Sequence, residues 1–146
     1  MDRINFENLP STNTPINAEN LNQLQANIEG EIENRNKYTT GEQKIGTWIN
    51  GKPLYRKVIE TTMPTVTTNG TYAENKKVNF ATNVEFAKAE MYMIVGDQRQ
   101  MLPYVNNSGH FAKGFIIGND LVLTANGTGF SDDNVLAIIE YTKTTD

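Results

Sequence analysis

Lys44-Ile45-Gly46-Thr47-Trp48-Ile49-Asn50-Gly51-Lys52-Pro53-Leu54-Tyr55-Arg56-Lys57-Val58-Ile59 reads as a strand, a turn and a second strand in order. Most side chains are strained at φ > 0, whereas Asn tolerates it and Gly is indifferent. Asn50-Gly51 between two strand-like runs therefore predicts a two-residue type I′ hairpin. The dipeptide recurs at Asn69-Gly70 and Asn126-Gly127, each beside strand-like sequence. The chain after residue 43 is thus expected to be a stack of hairpins.

Working outward, the strand candidates are 44–49, 54–60, 64–68, 71–80, 84–95, 98–105, 110–117, 121–125 and 135–143. Alternation is clear in 135–143, where Val135, Ala137, Ile139 and Tyr141 share a face, and in 110–117, where Phe111, Phe115 and Ile117 do with Lys113 among them. In 84–95 both faces are apolar, with Ala87, Ala89, Met91, Met93 and Val95 on one and Val84, Phe86, Tyr92 and Ile94 on the other. Breaks at Gly96-Asp97, Asn106-Asn107-Ser108-Gly109, Gly118-Asn119-Asp120 and Ser131-Asp132-Asp133-Asn134 follow the cadence of an antiparallel sandwich. The expected fold class is mainly β: a short N-terminal helix followed by an antiparallel β-sandwich knob over 38–146.

The first part of the chain is different. Residues 1–16 hold Pro10, Pro15 and a polar run, with Ile4, Phe6, Leu9 and Ile16 as apolar anchors, which suits an extended arm that docks on something else. Asn17 is placed as a helix N-cap, with Ile16 able to staple against Leu21. In the helix expected over 17–37, Leu21, Leu24, Ile28 and Ile32 recur at spacings of 3, 4 and 4. Glu31/Arg35 and Glu33/Lys37 are favourable i,i+4 pairs. The apolar stripe is one residue wide. It fits either a helix lying on its own β-domain or a thin stalk meeting copies of itself, and periodicity alone does not choose.

Composition narrows the function classes. A chain of 146 residues can bury a core, and its formal net charge of -4 provides no basic footprint for nucleic acid. With no cysteine, disulfides, thiolate zinc sites and cysteine nucleophiles are all excluded. No apolar run approaches the ~18 residues of a membrane span, and residues 1–5 do not read as a secretion signal.

Ile4-Asn5-Phe6-Glu7-Asn8 and Thr14-Pro15-Ile16-Asn17-Ala18-Glu19-Asn20-Leu21-Asn22-Gln23-Leu24-Gln25-Ala26-Asn27-Ile28 resemble the virion-attachment segment of tail-fibre and head-fibre appendage proteins in phages and prophages of Gram-positive bacteria. The stretch 46–57 and the closing Ile138-Ile139-Glu140-Tyr141-Thr142-Lys143-Thr144-Thr145-Asp146 are similar to the first hairpin and last strand of the small β-module in such proteins, while 61–130 matches only in style. The resemblance implies a virion structural protein, made in the host cytoplasm. In that plan 1–16 is a docking arm that meets capsid or tail proteins through Ile4, Phe6 and Leu9. Residues 17–37 form a homotrimeric stalk closed by Leu21, Leu24, Ile28 and Ile32, and the knob meets the host. Three copies would share buried surface that one small domain lacks.

The resemblance transfers no catalytic residue, cofactor or metal, and the residues themselves argue the same way. His110 is the single histidine and no Gly-x-Ser-x-Gly elbow surrounds a serine. Asp97, Asp120, Asp132 and Asp133 fall at predicted turns, leaving Glu140 as the one strand acid among candidates for glycoside cleavage. Asp132-Asp133-Asn134 lacks the spacing and glycine of a calcium loop. The expected function is adhesion to host surface glycans. The alternatives are a capsid decoration protein without a ligand and, less in keeping with the residues, a glycan hydrolase. Glycan-contact residues are not identifiable from the sequence. Trp48, Tyr55, Tyr72 and Tyr104 are candidate platforms that could equally be core.

Overall fold

The computed structural model describes residues 18–70 and 72–145, and the chain divides into two units after Lys37. The first unit contains helix α1, Ala18–Asn36. Glu19 in its first turn and Arg35 in its last complement the helix dipole, and Gln25 Nε2 donates to Glu29 Oε1 one turn on at 2.8 Å. Leu21, Ile28 and Ile32 are 50%, 43% and 55% exposed, with Leu24 half-buried among them. The docking arm, its anchors Ile4, Phe6 and Leu9, and the Asn17 cap lie outside the described residues.

The second unit is a sandwich of two antiparallel sheets. Its strands are β1 Gln43–Thr47, β2 Pro53–Thr62, β3 Glu74–Asn79, β4 Val84–Val95, β5 Gln98–Met101, β6 Tyr104–Val105, β7 Phe111–Ile117, β8 Asp120–Ala125 and β9 Asn134–Lys143. The larger sheet has the order β1-β2-β9-β4-β5 and the smaller β3-β8-β7-β6. The last strand is therefore central, paired with β2 from Tyr55↔Tyr141 to Thr62↔Asn134 and with β4 from Val84↔Lys143 to Ile94↔Asn134. Alternation sorts each strand into two faces. Val135, Ala137, Ile139 and Tyr141 point inward with Met91 and Met93, against Ala112, Leu121, Leu123 and Ala125 of the smaller sheet.

Most of the predicted strands form, but three differ. Residues 64–68 pair with no strand and form a loop. Its anchoring comes instead from buried Met63 and Val66 and from Val66 N–H donating to Ser131 Oγ at 2.9 Å. The run 71–80 contracts to β3, and 98–105 divides at Leu102-Pro103, a cis peptide where the chain passes from the larger sheet to the smaller.

The turns depart further from expectation. Asn50-Gly51 does join β1 to β2, but only Gly51 has positive φ, at 83°. Gly51 N–H donates to Trp48 O at 2.9 Å and Trp48 N–H to Lys52 O at 2.8 Å, which is a type I turn closed by a glycine bulge in place of type I′. The two-residue hairpins are Gly96-Asp97 and Gly118-Asn119, with the glycine of each at φ 57°.

Asn69-Gly70 and Asn126-Gly127 make no hairpin and instead clasp each other. Asn69 Oδ1 accepts from Thr128 N–H at 2.7 Å and Thr128 Oγ1 at 3.1 Å. Gly70 N–H donates to Asn126 O at 3.3 Å, and Asn126 Nδ2 returns a bond to Gly70 O at 3.2 Å. Asn126 Oδ1 also accepts from Phe111 N–H at 2.7 Å, tying the clasp to β7. Dipeptides suited to local turns thus became long-range ties, because their amides had backbone partners to satisfy.

Removing that amide should be felt. Asn126→Ala leaves Phe111 N–H and Gly70 O without their partner, so chemical denaturation should show a loss of about 1–3 kcal/mol. An unchanged midpoint would mean that water substitutes fully.

Candidate interaction faces

The sandwich leaves one outer face on each sheet. On the smaller sheet, β7 turns Phe111, Lys113, Phe115 and Ile117 outward and Ala112, Gly114 and Ile116 inward. The more apolar side of this strand is thus the outer one. The reason lies across the core: a Cβ at Gly114 would run into the Met91 sulfur and come within 3.1 Å of a Leu123 methyl, so no bulky side chain fits there.

Register aligns three rows on this face: Lys113, Thr124 and Asn75; Phe115, Val122 and Lys77; Ile117, Asp120 and Asn79. Val122 and Thr124 form a floor, 3% and 5% exposed, between the side chains of the flanking strands. On one wall Lys113 Nζ lies 5.1 Å from the Phe111 ring centre and 5.9 Å from that of Phe115. On the other, Thr124 Oγ1 donates to Asn75 Oδ1 at 2.6 Å, and Asn79 Nδ2 donates to Asp120 Oδ1 at 3.0 Å. Ring faces opposite fixed amides and hydroxyls can meet a ligand that is apolar on one side and rich in hydroxyls on the other.

The larger sheet's outer face is organised around Glu140. Its Oε1 accepts from Arg56 Nε at 3.1 Å and Nη2 at 2.8 Å, while Lys88 Nζ reaches Oε2 at 2.8 Å. Burial pushes the Glu140 carboxyl up, but the bonds and charges of Lys88 and Arg56 outweigh it and hold the group below its ordinary value. The Tyr38 ring lies 4.4 Å from the Arg56 guanidinium carbon. At the sheet's end, Tyr141 O–H and Lys143 both donate to Glu42, closing a second ion pair over the core.

The platforms named from sequence are mostly engaged within the chain. Trp48 stacks on Phe86 with ring centres 4.5 Å apart, Tyr55 on Tyr141 at 5.9 Å, and Tyr104 meets Phe130 edge-on at 5.9 Å. Tyr72 is exposed. Phe111 and Phe115, grouped by alternation but not named as platforms, line the smaller sheet's face. Nothing local marked them as outward, because the room at Gly114 is set by Met91 across the core.

The acids do not converge. Asp97 is in the β4–β5 turn, Asp120 opens β8 beside Asn79, Glu140 is ion-paired, and His110 sits in the β6–β7 turn beside Gly127. Among the described residues no group of three His, Cys, Asp or Glu side chains could hold a metal. Asp132, at φ 59°, accepts from Thr65 Oγ1 at 2.7 Å and Ser131 Oγ at 2.9 Å. Those bonds hold it below its ordinary value.

Asp133 is the opposite case. Its Oδ2 is buried without a hydrogen-bond partner, and burial, then the charge of Asp132, raises its carboxyl. A raised folded value means the ionised form weakens the fold. The penalty is absent below the ordinary carboxyl range and complete above the folded value. Asp133→Asn should therefore raise the melting temperature at pH 7, and the gain should vanish on acidification. A loss at pH 7 would assign the carboxylate a useful role.

No protein-family model, no curated protein and no solved structure matches this chain.

Proposed function

We propose that this chain is a homotrimeric phage virion appendage, a tail or head fibre, whose β-knob adheres to host surface glycans. The observation that carries the adhesive part is the smaller sheet's outer face, where Phe111, Lys113 and Phe115 stand opposite Asn75, Asn79 and Thr124 on a rigid scaffold. A sugar ring placed across the Val122–Thr124 floor would lay its C–H side on a phenyl ring and its hydroxyls against the amides. Such contact is weak per copy and becomes useful in multiple copies. The resemblance of residues 4–28 to virion-attachment segments supplies the setting, with the arm docking the trimer on the particle.

The trimeric part is supported by the Leu21, Leu24, Ile28 and Ile32 line, an apolar stripe that copies of the helix could close. Light scattering should return three times 16.3 kDa. Leu24→Asp should reduce it to monomer, since an unpaired charge in a three-helix seam costs several kcal/mol. A wild-type monomer would remove the stalk.

Adhesion is tested on beads. Purified protein displayed at high density should retain host cell walls, Phe115→Ala together with Lys113→Ala should lose most of that retention, and no reducing sugar should be released. Beads that ignore host walls would leave a decoration role, and sugar release would turn attention to the acids.

A further inference from the structure

The three Asn-Gly dipeptides carry a chemistry of their own. Glycine has no Cβ to crowd its backbone nitrogen, so that nitrogen can approach the side-chain amide carbon of the preceding Asn. On contact the glycine nitrogen gives up its proton and bonds to the carbon, and the side-chain nitrogen leaves as ammonia. A five-membered succinimide results. Water then opens the ring at either carbonyl, which returns aspartate in the ordinary chain or isoaspartate, where the main chain runs through the side-chain carbon. One water is consumed and one ammonia released, with no redox step.

Tertiary structure separates the three. Asn126 Oδ1 and Nδ2 are held by Phe111 N–H and Gly70 O, and Gly127 is buried against His110. Asn69 Oδ1 takes two bonds from Thr128, and the nitrogen that would attack it, that of Gly70, donates to Asn126 O. These ties span 56 and 59 residues of sequence, so cyclisation at either dipeptide must first part the clasp. At Asn50 the bonds are local: Oδ1 accepts from Lys52 N–H at 3.1 Å, and Gly51 N–H donates to Trp48 O at 2.9 Å. Both lie in one exposed hairpin tip carried by the edge strand β1, and such tips open at the low end of a fold's local free energies.

We propose that Asn50 is a site of spontaneous conversion to aspartate and isoaspartate, and that the clasp shields Asn69 and Asn126 from the same reaction. Asn50 and Asn69 are both exposed, so it is the clasp and not burial that distinguishes them. Aspartate at position 50 keeps an acceptor for Lys52 N–H but adds a negative charge beside the Lys52–Glu85 ion pair. Isoaspartate adds a methylene to the main chain of the turn, which displaces the Trp48–Lys52 closure at the end of the β1–β2 ladder. The modified chain thus differs in charge and in backbone geometry at one tip of the knob.

The test uses the unaltered full chain, held at mildly alkaline pH and sampled over time. Lys and Arg residues lie between the three dipeptides, so trypsin places each in its own peptide and mass spectrometry follows them separately. Methyl transfer by a protein-isoaspartate methyltransferase reports the isoaspartate. In the native protein the Asn50 peptide should gain the mass of amide-to-acid exchange at least about tenfold faster than the other two, the factor supplied by one or two further hydrogen bonds to be broken. In concentrated urea the three rates should converge. Asn69 or Asn126 converting as fast as Asn50 in the native protein overturns the shielding, as does a ratio that persists in urea, which would assign the difference to neighbouring sequence. An Asn50 peptide that stays unchanged while the urea sample reacts overturns the site.

Discussion

The insertion of β9 between β2 and β4 is the constraint on which the β unit depends. Until the last ten residues of the ladder, Asn134–Lys143, are in place, β2 and β4 each lack a neighbour and the larger sheet is two separate pieces. The same strand brings Val135, Ala137, Ile139 and Tyr141 to the middle of the core and Glu140 to the middle of the outer face. Hydrogen-bond ladder, packing and the Arg56–Glu140–Lys88 cluster are therefore established together. Partners some eighty residues apart in sequence, such as Tyr55 and Tyr141, must meet, which makes this a high-contact-order fold whose formation is slow relative to local hairpins.

Without disulfides, polar ties do the work of securing the loops. The Asn69–Thr128 and Asn126–Gly70 clasp joins the loop before β3 to the segment after β8, and Asn126 reaches on to β7. Each bond uses a side-chain amide to satisfy a backbone group that no ladder reaches, so the long loop after β2 is held without secondary structure. The same economy of local geometry appears at Trp48–Gly51, where Gly51 alone takes the left-handed conformation.

Both candidate interaction faces follow from the limits of the core. With Met91 filling the space above Gly114, β7 has only small side chains and Ile116 to offer inward, and its phenylalanines are displaced to the outside. Across the sandwich, β2 and β9 keep Val58, Leu136 and Ile138 on the outer side next to Tyr38, forming a cleft.

The mainly β class, the leading helix and most strand positions were legible in the sequence, because hydrophobic periodicity and turn residues act over a few neighbouring positions. Gly96-Asp97 and Gly118-Asn119 were readable as breaks for that reason. The sequence alone did not reveal that Asn69-Gly70 and Asn126-Gly127 would bind each other, that 64–68 would remain a loop, or that Phe111 and Phe115 would face outward. Those outcomes depend on partners distant in the chain: Thr128 for Asn69, Ser131 for Val66 and Met91 for Gly114. Local sequence determined which segments could be strands; tertiary packing decided which side of each strand had room inside, and therefore which side was left to meet another molecule.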